Sequence, residues 1–174
     1  MIGYERTIEQ DAAFAFRQLT DIAVKALSPG INDPVTAAHA VGHMADLLVR
    51  LTGRRLGPTL HEDAEGTGRV VVPDRDLPYY LDLVCGPIRR YGRSEPTVLI
   101  ALLRMLRDVA TAARDDAQRQ DLADQIGLIV EEVSETVGAH DAKQVQAMAQ
   151  RVGQALDGDV RGAYADRSGE TRSL

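Results

Sequence analysis

The chain has 174 residues, of which 44% are hydrophobic, so it can form one globular domain with a core of ordinary size. Its formal net charge is −6, and its arginines are interspersed with acidic residues and form no large positive block, which argues against a nucleic-acid partner. The single cysteine, Cys85, excludes an internal disulfide and fits a reducing compartment. Aromatic residues make up only 4% of the chain, and the long segments are rich in good helix formers, so an all-helical protein is favoured.

The first predicted helix runs from about Thr7 to Leu27. Its apolar residues recur at helical spacing and predict a core face made of Ile8, Ala12, Ala15, Leu19, Ile22, Ala23 and Ala26. Ser28, Pro29 and Gly30 end this helix, because the residue before proline avoids the α region and glycine accepts a left-handed turn. Asp33 and Pro34 then favour an N-cap and first turn, so a second helix is predicted from Pro34 to about Leu51.

The segment between Gly53 and Pro73 has a different pattern. Two β-prone stretches flank the polar sequence HEDAEGT, which predicts a small β-hairpin over about residues 54–73. An isolated two-stranded hairpin is only marginally stable in water. We therefore expect this hairpin either to lie on the helices or to pair with another copy of the chain.

Four further helices are predicted downstream of the hairpin. The first begins at Asp74 or Asp76 and runs to about residue 91, and the others span about residues 96–114, 116–137 and 141–156. The second of the four carries apolar residues over more than half its circumference, so we expect it at the centre. The apolar neighbours of Cys85 predict that its thiol is a core group. Together the patterns predict one mainly all-α domain over residues 1–157, a bundle of about six helices with one hairpin, and a disordered tail at 158–174.

A stripe of polar residues on the first helix is the first candidate site. Gln10, Arg17, Asp21 and Lys25 share one face, and Phe14 interrupts it. One interpretation is a solvated face with weak ion pairs between successive turns. The other is a buried network in which the carboxylates of Asp11 or Asp21 meet Arg89 and Arg90 at the end of the third helix.

The junction between the first two helices is the second candidate. Backbone N–H groups at a helix start can hold an anion, and the polar side chains nearby are Ser28, Asn32, Asp33 and Thr36. Asp33 is also the expected N-cap, and its carboxylate would then occupy those donors. The structural interpretation is therefore favoured over anion binding.

A third, weaker candidate is a metal site on the second helix. His39, His43 and Asp46 are spaced so that all three lie on one helix face, as ligands on a helix would need. Histidines on a polar face are more often exposed to solvent, and we predict no metal and no cofactor. The sequence also lacks the common nucleophile, zinc-protease and nucleotide-binding motifs, which lowers the expectation of an enzyme.

Over roughly residues 5–150, and most specifically in its first quarter, the chain resembles a family of bacterial predicted membrane proteins, domain-of-unknown-function family 2254. The resemblance rests on Arg6, Thr7, Gln10, Asp11, Phe14, Arg17, Gln18, Leu19, Asp21, Ile22, Ala23, Ala26, Leu27, Ser28, Pro29, Gly30, Asn32, Asp33, Pro34, Thr36 and Ala37. It implies a carboxy-terminal soluble region on the cytoplasmic face, with membrane spans upstream. No run in this chain approaches the roughly 18 apolar residues that a span needs.

Two functional hypotheses follow. The first is a non-enzymatic module that self-associates as a homo-oligomer, or senses a signal, for the transmembrane region implied by the resemblance. The second is a binding site for an anion or small molecule, with hydrolysis as an open option, at the junction of the first two helices. Its arginines would clamp the anion and an aspartate would act as base.

Overall fold

The computed structural model describes residues 11–165, apart from the side chains at 134 and 135. Within these residues it has seven helices and one antiparallel hairpin, which confirms the mainly all-α prediction. None of the helices in this range is long and apolar enough to cross a membrane. The elements are α1 (Ala12–Ala26), α2 (Pro34–Thr52), β1 (Thr59–Glu62), β2 (Gly68–Val72), α3 (Leu77–Tyr91), α4 (Pro96–Ala110), α5 (Asp116–Thr136), α6 (Ala139–Leu156) and α7 (Val160–Ala163).

Contacts between helices show that α1, α3 and α5 run parallel to one another. Arg17 meets Tyr79 and, one turn further, the Thr20 hydroxyl donates to the Leu83 carbonyl, so α1 and α3 advance together. Between α3 and α5 the pairs advance in the same way, because Gln125 donates to Asp82 and Glu132 then pairs with Arg89. The short connections reverse the chain between these helices, so α2, α4 and α6 run the other way. We call the end where α1, α3 and α5 begin the hairpin end.

The fourth helix, α4, is the centre of the core, as the sequence predicts. Nine of its fifteen residues are buried, and the helix contacts α2, α3, α5 and α6. Proline at the first turn starts the helix after Glu95. The helix ends at Ala110, four residues before the predicted end, because residues 111–114 form the turn into α5, where Asp115 is the N-cap.

The buried face of α1 differs from the predicted one. The side chains that enter the core are Ala13, Phe16, Thr20, Ala23 and Ala26, while Ile22 is half exposed. Phe16 decides the orientation, since its ring packs at 5.5 Å between centroids on Tyr80 of α3. Asp11 caps α1, which begins at Ala12, and the predicted start at Thr7 lies outside the described residues.

The hairpin projects from the bundle. Its strands pair antiparallel with each other, with a bulge between His61 and Glu62, and neither strand forms a substantial contact with a helix of the described range. At its root the Gly57 N–H donates to the Arg75 carbonyl. Of the two expectations for this segment, packing on the helices is wrong, and pairing with another copy stays a prediction.

The segment after α6 is structured as far as residue 165, which contradicts the disordered tail predicted from residue 158. Asp159 caps α7, Ala163 is buried, and the Tyr164 hydroxyl donates to Asp108 at 2.7 Å. The α7 segment also packs on Arg107 of α4, whose side chain is 0% exposed. Its guanidinium donates to the Ala163 carbonyl and lies 4.1 Å from the centre of the Tyr164 ring. Residues 166–174 lie outside the described residues.

Replacing Tyr164 tests this docking. Tyr164→Ala removes the ring over a buried guanidinium as well as a hydrogen bond, so we expect it to lower the free energy of unfolding by about 2 to 3 kcal/mol. Tyr164→Phe keeps the ring and loses the hydroxyl, with an expected cost of about 1 kcal/mol. Urea denaturation followed by circular dichroism measures both. Equal stability of all three proteins would contradict the docking.

Candidate functional site

The start of α1 is tied to the start of α3 by a cluster of charged and aromatic side chains, Asp11, Arg17, Arg75, Tyr79 and Tyr80, which we call the hairpin-end cluster. Asp11 caps α1 and forms an ion pair with Arg75. The Arg75 guanidinium lies 5.3 Å from the centre of the Tyr79 ring, and Arg17 donates to the Tyr79 hydroxyl at 2.7 Å. These contacts connect elements more than sixty residues apart in the sequence.

The pKa shifts in this cluster are those of a structural contact between helices. The Asp11 carboxylate raises the pKa of Arg75, mainly through its hydrogen bond to the guanidinium. Burial is the main cause of the raised pKa of Tyr80. Both shifts favour the protonated form of a group that is already protonated at neutral pH. The cluster therefore holds its charge state constant, as a structural contact does.

The predicted network between α1 and the end of α3 does not form. Arg89 pairs instead with Glu132 of α5, and Arg90 is exposed and folds back over Gly86. The α1 residues Asp21 and Lys25 are exposed, and their side chains make no hydrogen bond or ion pair within residues 11–165. Arg6 and Gln10, the remaining members of the predicted set, lie outside the described residues.

The junction of α1 and α2 is a capped turn. Asp33 accepts from the Thr36 N–H at 3.0 Å and from the Thr36 hydroxyl at 2.6 Å. These hydrogen bonds, led by that of the hydroxyl, lower the pKa of Asp33. Asn32 takes a positive φ of 48°, and the Ser28 hydroxyl donates to the Lys25 carbonyl. The carboxylate thus occupies the donors that an anion would need.

The weak metal candidate is not supported. His39, His43 and Asp46 are all exposed on α2, as the helical pattern predicts. In the part of the chain that the structure describes, no group of three or more histidine, cysteine, aspartate or glutamate side chains could hold a metal ion. His39 and Asp46 instead line a shallow groove between α2 and α4. The Cys85 thiol is fully buried, and burial raises its pKa to about 12, so it is a core group as predicted.

A polar concavity at the hairpin end is one that sequence reasoning missed. It has a volume of about 550 Å³ and lies between the hairpin root and the starts of α3 and α5. Three exposed arginines line it, Arg54, Arg55 and Arg114, and we call it the arginine groove. Within residues 11–165 their guanidinium groups make no hydrogen bond or ion pair.

Carboxylates also line the arginine groove, but two of them have structural partners. Asp76 accepts from the Tyr79 N–H at the start of α3, and Asp115 accepts from the Gln118 N–H at the start of α5. The third, Asp121, has a raised pKa, caused first by burial and then by the neighbouring carboxylates Asp76, Asp124 and Asp115. The groove therefore offers exposed positive charge that none of these carboxylates pairs with.

The residues that the sequence interpretation missed share a reason. Arg75, Tyr79 and the three groove arginines lie in loops or at helix starts, where no periodic pattern marks them. The available signals were local, since Asp76 and Asp115 each stand at an N-cap position. They position the ends of helices, but they do not show which ends meet.

Comparison with known proteins identifies the family. The model of the family described as predicted membrane protein (DUF2254) matches residues 1–108. Uncharacterised proteins of Mycobacterium bovis and Mycobacterium tuberculosis are each 42% identical to this chain over 129 residues, which is 74% of this chain and 25% of theirs. No solved structure matches the chain.

The chain belongs to this family of predicted membrane proteins, whose function is unknown. The family resemblance inferred from the first quarter of the sequence is thereby confirmed. The chain spans about a quarter of the length of the curated relatives that it matches. The matched region includes α1 to α3 and most of α4, and hence the hairpin and most of its surroundings.

Substitutions at Asp11 and Asp21 distinguish a carboxylate that links α1 to the start of α3 from a carboxylate that is only solvated. Asp11→Ala removes an N-cap and leaves Arg75 without its carboxylate, so we expect the free energy of unfolding to fall by about 2 kcal/mol. Asp21→Ala on the same helix is the matched control, with an expected change within about 0.5 kcal/mol. Thermal and urea denaturation measure both. A larger effect at Asp21 than at Asp11 would contradict this assignment.

Proposed function

We propose that this chain is a self-association module of a predicted membrane protein, placed on the cytoplasmic face, and that it acts by holding copies together rather than by catalysis. The observation that carries the proposal is the hairpin. It stands off a bundle whose core is complete without it, and it has apolar side chains on both faces. Such an element gains stability when a second molecule covers it.

The exposure of the hairpin supports this proposal. Its large apolar side chains are about half exposed, at 50% for Leu60, 56% for Val70, 61% for Val71 and 46% for Val72. Leu60 is the cross-strand partner of Val71, so one face of the hairpin carries these two side chains, and the other face carries Val70 and Val72. Apolar side chains that are exposed on both faces of a projecting hairpin are typical of an interaction site.

The free edge of β2 supports self-pairing in particular. β2 pairs only with β1 within the described residues, so its other edge has unpaired backbone groups. Proteins usually protect such edges with charges, prolines or a covering element. Here three consecutive valines, Val70 to Val72, lie along the edge, and Arg69 and Pro73 stand only at its ends. A valine-rich edge is well suited to antiparallel pairing with an identical strand.

The cytoplasmic location is supported by the single thiol. Cys85 is a buried free thiol, as is usual for a cysteine in a reducing compartment. The alternative of an anion or small-molecule site at the junction of α1 and α2 is less well supported, because Asp33 itself takes the donors at that helix start. The net charge of −6 also makes a nucleic-acid partner unfavourable.

Val71→Lys tests the proposed self-association. A lysine at the most exposed of the large apolar positions of the hairpin places like charges opposite each other across a symmetric strand pair, so we expect at least about a tenfold rise in the dimer dissociation constant, equivalent to about 1.4 kcal/mol. Leu128→Lys, at an exposed apolar position on α5, is the matched control and should associate like the wild type. Analytical ultracentrifugation over a range of concentrations measures all three.

A monomeric wild type at every concentration would refute the proposal. So would a Val71→Lys variant that associates as strongly as the wild type, because the contact would then lie elsewhere on the molecule. The melting temperatures of the variants serve as the control for folding. We expect the bundle to remain folded, because Val71 is exposed and is not part of the core.

A further inference from the structure

The two ends of the hairpin carry opposite charge. At the tip, the side chains of Glu62 and Glu65 are exposed. The remaining tip carboxylate, Asp63, is used within the hairpin, because it accepts from the Thr67 N–H and pairs with Arg69 at 2.5 Å. At the root, the arginine groove presents the exposed guanidinium groups of Arg54, Arg55 and Arg114.

A symmetric pair of hairpins brings these opposite charges together. If two β2 strands pair antiparallel about Val71, each residue toward the tip of one copy lies opposite a residue equally far toward the root of the other. β2 ends at Gly68 on the tip side and at Val72 on the root side, so the tip loop of one copy lies beside the segment that follows Val72 in the other, and that segment leads to Leu77 at the start of α3. Leu77 lines the arginine groove. The tip of one hairpin therefore reaches the groove of its partner.

Electrostatics favour this orientation over the parallel one. In a parallel pair the acidic tips would meet each other, and so would the arginine-rich roots, and both contacts are repulsive. In the antiparallel pair each tip carboxylate meets guanidinium groups, which bind carboxylates with two parallel hydrogen bonds. Three carboxylates also line the groove, and two of them, Asp76 and Asp115, each accept from a backbone N–H at the positive end of a helix, which offsets part of their charge. Asp121 is the one groove carboxylate that does not cap a helix.

We infer that the arginine groove receives the acidic hairpin tip of a second copy, so that two chains form an antiparallel four-stranded sheet with a reciprocal salt contact at each end. The inference rests on the proposed self-association and specifies its geometry. The interface is isologous, since the tip of each copy contacts the root of the other. A sheet of four strands is within the size range that is stable in water.

A charge-reversal mixing experiment on the full chain tests this geometry. The tip variant carries Glu62→Arg and Glu65→Arg, and the root variant carries Arg54→Glu and Arg55→Glu. Alone, each should dimerise about tenfold or more weakly than the wild type, because every tip then meets a root of like charge. Mixed in equal amounts they should form a heterodimer, since both tip-to-root contacts are again between opposite charges.

Native mass spectrometry distinguishes the heterodimer by mass, and ultracentrifugation gives the dissociation constants. A double variant with Lys25→Glu and Lys143→Glu, at exposed positions near the opposite end of the bundle, is the control for a general effect of charge and should dimerise like the wild type. A heterodimer in the mixture also shows that both variants are folded.

Two outcomes would overturn the inferred contact. Either variant dimerising alone like the wild type, or a mixture that gives no heterodimer, would show that the tip does not bind the groove. In both cases a dimeric wild type that is disrupted by Val71→Lys would leave the self-association itself standing. A monomeric wild type would instead refute the proposed function, and the occupant of the groove would then not be a second copy.

Discussion

Burial of the apolar surface of α4 is the constraint on which the rest of the structure depends. Leu99, Leu102, Leu103 and Leu106 are fully buried, and only a ring of neighbouring helices can cover a helix that is apolar over most of its circumference. Helices α2, α3, α5 and α6 provide that cover. Because helices alone cover α4, the core is complete without the hairpin, which projects with its valines exposed.

The same arrangement places the charged features at one end. Parallel α1, α3 and α5 begin together, so their N-caps Asp11, Asp76 and Asp115 lie at the end from which the hairpin emerges. The pair of Asp11 and Arg75 fixes the start of α1 against the hairpin root. The root and the groove are thus held by the bundle, whereas the strands are free to meet another molecule. A fixed base with a projecting arm is well suited to association between copies.

The sequence predicts the helices well because their signals are local. Asp33 with Pro34 and Glu95 with Pro96 mark helix starts. The many leucines of α4 indicate a buried helix. The rotation of α1 was predicted wrongly because four alanines and Ile22 outweighed the two phenylalanines in the pattern. Packing of Phe16 on Tyr80 decides the face, and that contact joins residues sixty-four positions apart.

The candidate site was harder to predict for the same physical reason. Arg17 was assigned to the correct helix, but its partner Tyr79 and the partner of Asp11 depend on which helix ends meet. Arg89 was expected to meet α1 and instead meets Glu132, because α5 and not α1 covers that side of α3 near its end. The tail was predicted as disordered because a four-residue helix has no period. Its docking depends on Arg107, which a pattern based on apolar residues does not mark.

The central claim is that the edge of β2 is unpaired in the monomer and is covered by a second copy in the dimer. Hydrogen exchange of the backbone amides in residues 68–72, measured at low and high protein concentration, tests it most directly. The account predicts that exchange in β2 slows as concentration rises, while exchange in α4 stays constant. Exchange rates in β2 that are the same at all concentrations would contradict it.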